Sequence, residues 1–299
     1  MKMKKITESI AVVSLLSVVF FCPKVLADEN NNEETFIEHD YVTGEEKEIV
    51  IEKKDSLQAY SGNEKERISL PHSVNEIKDE ASVTNILPNK TLTKVNVNSD
   101  PYCCVTYLCL GRDNDGDGIA ESWSGGTGFM VYSDIMLTAG HCMYGLDGGN
   151  VKEMRVYKMQ NNSVKDKTYY YPATWWLSTN YKKTADSNYD WCVVELQNSI
   201  GNTTGWFGYG VALYSKSITV SGYPDYPAYH YYQYKSSGTL TKENTYRFSH
   251  TCSTLGGESG SPAFDSNGVV WGIHTSGGTS ENYGCLITSS LFDLIESVK

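Results

Sequence analysis

Gly256-Gly257-Glu258-Ser259-Gly260-Ser261-Pro262 is the stretch on which the reading of this chain turns. A serine hydroxyl is a weak nucleophile at its own pKa and needs a base beside it. It also needs backbone N–H groups aimed at the oxygen that gains charge during attack. A tight glycine-rich turn serves both needs. It exposes the hydroxyl of Ser259 and lets the amides of Gly257 and Ser259 point at one spot, because glycine adopts backbone angles that a side chain forbids. Alone, the heptad is equally compatible with an ordinary Gly/Ser loop.

A second string, Leu137-Thr138-Ala139-Gly140-His141-Cys142, ends an apolar run. Histidine titrates near neutral pH, so it can take the serine proton and return it to a leaving amine. An isolated histidine such as His39 or His230 reads as a buried, hydrogen-bonded side chain, whereas the string around His141 is specific. The third member must be a carboxylate that orients the imidazole. Asp190 stands just ahead of the apolar strand Trp191–Leu196, which fixes its direction. Its competitor, Asp186, lies in the polar loop before that strand.

Around these motifs the 299 residues fall into three regions. Residues 1–27 read as a secretory signal: three lysines among the first five residues, an apolar run over Ile10–Phe21, and small residues before a cut after Ala27. The run is too short to span a bilayer. The bulky Phe21 before Cys22 argues against a lipid-anchor signal, so no stable membrane anchor is expected. Residues 28–85 hold 16 acidic and 6 basic residues and few aromatics. Such a pro-segment cannot bury much apolar surface by itself. Residues 86–299 contain all six Trp and 20 of the 22 Tyr. They show no basic patch of the kind nucleic-acid binders need, and a monomer is expected.

The 86–299 region reads as all-β. Strand-length apolar runs recur at Val105–Leu110, Gly128–Tyr132, Trp191–Leu196, Val211–Leu213, Ser217–Gly222 and Val269–His274, with turn residues between them. Leu291, Leu294, Ile295 and Val298 give one closing helix. The Tyr- and Trp-rich stretches (Tyr169–Tyr171, Trp175-Trp176, Tyr223–Tyr234) read first as core and hairpin residues and second as a binding surface. Seven cysteines follow Ala27; export permits disulfides, and an odd count leaves one free or paired between chains.

With its motifs in the order His141, Asp190, Ser259, the chain resembles the chymotrypsin-like serine proteases. More narrowly it resembles the glutamyl endopeptidases of Gram-positive bacteria, which also carry the counterpart of Gly272-Ile273-His274. The likeness covers about residues 86–299. It implies two six-stranded antiparallel β-barrels with the active site between them. It further implies a Ser259–His141–Asp190 triad, an oxyanion hole from the Gly257 and Ser259 amides, protein or peptide substrates, and no required cofactor. His274 and Thr254 match the residues that recognise a substrate Glu, and charge-assisted hydrogen bonds suit that task. Ser276, Gly277 and Gly278 would pair with substrate backbone as an edge strand. Asn85-Ile86-Leu87-Pro88-Asn89 resembles the processing region of a staphylococcal member, where the new amine, here that of Ile86, helps hold the substrate carboxylate.

Two features depart from that pattern. Glu258 stands where relatives have a neutral residue; it either captures the Ile86 amine or is solvated. Cys142 lacks its usual partner position, leaving Cys103, Cys104 and Cys109 as candidates, while Cys252 and Cys285 could bridge across the pocket. Apart from the resemblance, Asp113-Asn114-Asp115-Gly116-Asp117-Gly118 alternates carboxylates as calcium loops do, with Asp113, Asp115 and Asp117 as ligands. Its twelfth position is Ser124 rather than Glu, and an acidic hairpin tip is the alternative. Two further readings stay open: a serine protease of other specificity, and a secreted binding domain on the same fold.

Overall fold

Period-two patterning shapes the first half of the globular region, and the strand Val105–Arg112 and the second half of the strand Ser122–Met130 are buried on both faces. The computed structural model describes residues 34–51, 80–81, 91–145, 151–164, 167–212 and 215–299. The expected signal, the expected processing region with Ile86, and most of the acidic segment lie outside these residues. No helix among the described residues is long and apolar enough to cross a membrane.

Four short strands precede the barrels: β1 (Thr35–Asp40), β2 (Glu46–Val50), β3 (Glu80–Ala81) and β4 (Leu92–Lys94). The first barrel is built from β5 (Val105–Arg112), β6 (Ser122–Met130), β7 (Ile135–Thr138), β8 (Glu153–Lys158), β9 (Pro172–Ser178) and β10 (Cys192–Leu196). Their order is β9-β10-β7-β6-β5-β8, and a bridge between Val156 and Tyr170 closes the ring. After β11 (Gly208–Tyr209) come β12 (Lys216–Gly222), β13 (Tyr234–Lys242), β14 (Arg247–His250), β15 (Pro262–Phe264), β16 (Val269–Ser276) and β17 (Asn282–Leu286). They run β12-β15-β16-β17-β14-β13, and the β12–β13 pairing closes this second six-stranded ring. Of the expected strand at Val211–Leu213, Val211 and Ala212 are not in a strand and Leu213 lies outside the described residues; β11, just upstream, pairs in parallel with β16.

Alternation sends Leu108 and Leu110 of β5 into the first barrel with Met136, Met154, Val156, Trp175 and Val194. The intervening Val105 and Tyr107 face a different cluster, shared with Phe207, Tyr223, Phe264 and Ile273 of the second barrel. That shared core welds the two barrels. A smaller one, with Ile218, Val220, Leu240, Phe248 and Leu286, fills the second barrel. The closing helix α3 follows α1 (Thr179–Thr184) and α2 (Gly201–Thr204) and spans Ser289–Val298. Thr288 caps it by accepting from the Leu291 amide at 3.1 Å, and Leu291, Leu294 and Ile295 join the shared core.

The acidic segment contributes more than its composition implies. Its β1 pairs antiparallel with β9, Phe36 opposite Ser178 and Asp40 opposite Thr174. Phe36 is 1% exposed and its ring lies 5.9 Å from that of Trp191. His39 stacks on Trp175 at 4.5 Å, and Trp176 Nε1 donates to Glu38 at 3.0 Å. A segment too polar to form its own core thus lends one aromatic to a core that already exists.

Candidate active site

The two barrels bring His141, Asp190 and Ser259 to one place. His141 sits in a 3-10 turn, Gly140–Cys142, directly after β7. Asp190 follows another, Ser187–Tyr189, and precedes β10. β7 and β10 are neighbours with Thr138 opposite Cys192, so the two turns emerge side by side. Gly140 makes the approach feasible: a Cβ there would lie 3.1 Å from Asp190 Oδ1 and from the Trp191 amide. Asp190 Oδ1 accepts from the His141 amide at 2.9 Å, and Oδ2 lies 2.8 Å from His141 Nδ1. With Nδ1–H donated to Asp190, Nε2 is left to act as a base. Asp186 is used otherwise, capping the Ser187–Tyr189 turn by accepting from the Asn188 amide at 2.9 Å. Burial alone would lower the pKa of His141; the charge and hydrogen bond of Asp190 outweigh it, and the net shift is upward.

Ser259 lies in a turn stitched to both barrels. The Thr127 amide of β6 donates to the Ser259 carbonyl at 2.9 Å, and the Gly260 amide to the His274 carbonyl of β16 at 2.8 Å. Gly257 and Gly260 have φ of 93° and 91°, and a Cβ on Gly260 would overlap the Thr127 carbonyl. The Ser259 hydroxyl donates to the Thr275 carbonyl at 3.3 Å. The Gly257 and Ser259 amides donate to no carbonyl among the described residues.

Glu258 is completely buried, which overturns its reading as a solvated side chain. Its Oε2 accepts from the Leu255 amide at 2.6 Å, while Oε1 has no partner among the described residues. Burial pushes its pKa up to about 8, against the opposing effect of the Leu255 hydrogen bond.

The expected pocket residues also converge. His274, on β16, is 2% exposed and its Nδ1 lies 3.0 Å from Nε2 of His250 on β14. Burial, followed by repulsion from His141, lowers the His274 pKa to about 4. His250 is lowered too, first by burial and then by His274. Asn282, across from His250 on β17, donates to Thr254 Oγ1 at 2.9 Å and to the Cys252 carbonyl at 2.8 Å. Its Oδ1 accepts from the Gly278 amide at 3.1 Å. Ser276 and Gly277 are exposed, but β16 ends at Ser276, so the expected edge strand stops short of Gly277 and Gly278.

The cysteine expectations are corrected by register. Cys285 stands opposite Arg247, whereas Cys252 lies five residues further along the chain, beyond His250, and the two form no bridge. Cys142 belongs to the interior of the first barrel, with Leu108 and Leu110. Cys109 points to the opposite face of β5, and Cys103 and Cys104 belong to the shared core, so none of the three reaches Cys142. Its thiol lies instead 3.8 Å from the Ser259 carbonyl.

Asp113, Asp115, Asp117 and Glu121 offer carboxylate oxygens within 4.8 Å of one another. The same carboxylates are engaged by their own loop: Asp113 accepts from the Gly116 and Gly118 amides, Asp115 from Asp117, and Asp117 from Ile119. Of the aromatic stretches, Trp175, Trp176, Tyr223, Tyr229 and Tyr234 are core, whereas Tyr169 and Tyr226 are exposed. His250, Asn282 and Thr127 were not legible as site residues. They stand outside any motif, and only the pairing of β14, β16 and β17 and the docking of β6 bring them in.

Comparison with known proteins agrees with this geometry. The family described as "Trypsin-like peptidase domain" matches residues 126–273. A glutamyl endopeptidase of Bacillus licheniformis is 30% identical over 259 residues, covering 76% of each chain. A Bacillus subtilis protein named extracellular metalloprotease is 29% identical over 206 residues, 66% of this chain and 64% of that one. Among solved structures, a Glu endopeptidase superposes with a TM-score of 0.62 at 27% identity, over 71% of this chain and 98% of the other.

Proposed function

Because the chain belongs to the chymotrypsin-like serine proteases, as a homologue of glutamyl endopeptidase, we propose that this endopeptidase is secreted and cleaves after Glu, less readily after Asp, through Ser259, His141 and Asp190. The observation that carries the chemistry is the bidentate hold of Asp190 on the backbone and ring of His141. It sets one imidazole tautomer and leaves Nε2 as the base. Ser259 turns its hydroxyl from the Thr275 carbonyl to His141 and attacks the scissile carbonyl. His141 takes the proton as the scissile carbonyl carbon becomes tetrahedral, then gives it to the leaving amine as the C–N bond breaks; water repeats the sequence on the acyl-enzyme and releases Ser259. The Gly257 and Ser259 amides receive the oxyanion.

The Glu preference is supported by a pocket whose polar groups donate without permanent charge. Thr254 Oγ1 accepts from Asn282, which leaves its own hydrogen for a substrate carboxylate. His274 Nδ1 faces His250, and its Nε2 is the proposed donor to the same carboxylate. A buried substrate anion would in turn favour protonation of His274. The Ile86 amine is proposed as a further donor after processing. Two experiments test this reading on the processed protein. Fluorophosphonate is expected to label Ser259 and not the Ser259→Ala variant. A peptide library is expected to show enrichment of Glu before the cut, and no enrichment would reject the pocket assignment while leaving the triad standing.

A further inference from the structure

The turn between β12 and β13 carries a carboxylate that takes no part in the triad or the pocket. Asp225 touches three separate elements. Its own amide donates to the Gly256 carbonyl at 2.6 Å. Its Oδ2 accepts from the Gly125 amide of β6, in the first barrel, at 2.7 Å. Its Oδ1 lies 3.0 Å from His230 Nε2, whose ring stacks on Tyr231 at 3.7 Å. The approach is close on both sides: a Cβ on Gly257 would lie 2.3 Å from the Asp225 amide, and one on Gly125 would lie 2.9 Å from its carboxyl carbon.

We propose that Asp225 is a positioning residue for the oxyanion hole, holding the Gly256–Gly257 peptide in the orientation that aims the Gly257 amide at the substrate. The proposal rests on the reading of Gly257 as an oxyanion donor. The carbonyl of Gly256 and the N–H of Gly257 belong to one planar trans peptide and point in opposite directions. Fixing the carbonyl against Asp225 therefore fixes the N–H on the far side. Glycine at 257 has access to other backbone angles, so the orientation needs an external hold. Asp225 supplies it from a residue itself anchored to the first barrel through Gly125. Thr127 Oγ1 holds the next peptide in the same way, donating to the Gly257 carbonyl at 3.0 Å. His230 Nε2, 3.0 Å from the second carboxylate oxygen, fixes the orientation of the Asp225 side chain from the other side.

The test uses Asp225→Ala in the processed protein, which removes the contacts to Gly125 and His230. The expected result is a fall in kcat of about 10- to 100-fold, as for a misplaced or lost oxyanion donor, with KM within about threefold. Affinity for a peptide aldehyde, which forms a tetrahedral adduct on Ser259, should fall by the same factor as kcat. A purely structural role would lower Tm without splitting kcat from KM. Retention of kcat within about twofold, or a fall in kcat without a matching loss of aldehyde affinity, overturns the proposal. Should the alanine chain not fold, Asp225→Ser carries the same readouts, because its shorter side chain does not reach Gly125. Fluorophosphonate labelling of the unsubstituted protein separates the two failures. No labelling at Ser259 sinks the catalytic reading; labelling together with a fully active Asp225→Ala sinks only the clamp.

Discussion

Each barrel carries a histidine of the proposed site, and the fold treats the two in opposite ways. His141 of the first barrel is half-buried beside a carboxylate, and Asp190 raises its pKa against the effect of burial. His274 of the second barrel is fully buried beside another neutral histidine, and its pKa falls to about 4. The residue type is the same; the partner decides the charge. In the roles proposed above, the histidine that takes a proton is given an anion to stabilise the result, and the one that meets an anionic side chain is kept neutral until the anion arrives. Glu258 follows the same rule in acidic form, buried with one oxygen unpaired among the described residues and its pKa raised.

The largest expected effect comes from erasing the contrast at its source. Asp190→Asn should lower kcat by about 10⁴-fold, as loss of the orienting carboxylate does in triads of this kind. It should also move the acid limb of the kcat/KM profile to lower pH, since His141 must be neutral to act and would lose the group that raises its pKa. An acid limb that stays in place would show that another group sets it. His274→Phe should next reduce the ratio of kcat/KM for Glu over Gln peptides by about 10²-fold, because the carboxylate loses its buried donor. Unchanged selectivity would break the comparison on the second barrel's side. His250→Phe should cost about tenfold in the same ratio, by leaving His274 Nδ1 without a partner, while turnover of a poor neutral substrate stays near its original value.

Glu258→Gln gives the smallest and most gradual effect. The folded-state pKa of about 8 stands above the ordinary 4.5, so the folded protein holds this proton where the unfolded chain has released it. The stability linked to Glu258 is therefore complete below about pH 4.5 and is lost as pH rises through 8. Glutamine keeps an acceptor for the Leu255 amide and has no proton to lose. Urea denaturation at pH 5 and pH 9 should show a smaller loss of stability in the variant than in the parent. Parallel slopes would mean that Glu258 ionises with a partner the present contacts do not include.

The three residues proposed for the triad were legible because their motifs are local. The Gly-rich turn around Ser259, the string around His141 and the Asp190–Trp191 strand start each need several residues in a row to make their geometry, and such strings survive in one dimension. The pocket was legible only in part. His274 and Thr254 came from a resemblance, and their supports His250 and Asn282 came from no pattern, because a neighbour across an antiparallel pair carries no fixed sequence spacing. The expected Cys252–Cys285 bridge failed for the same reason: proximity to one pocket in sequence does not set register. The acidic segment misled in another way. Its composition excludes an independent core, yet says nothing about Phe36 completing someone else's.

The sequence by itself determined the reaction class, the all-β architecture, the closing helix and the three residues proposed for the triad. Each depends on short-range constraints: turn chemistry, strand periodicity and the spacing of apolar side chains. Only the tertiary structure decided that Glu258 is buried rather than solvated, that His274 rests on His250, that β1 joins the first barrel, and that Asp225 ties Gly125 of the first barrel to the Gly256–Gly257 peptide of the second. Those features are set by which strands pair and how the two rings pack. Burial and register, which govern charge state and contact, exist only once the chain has closed on itself.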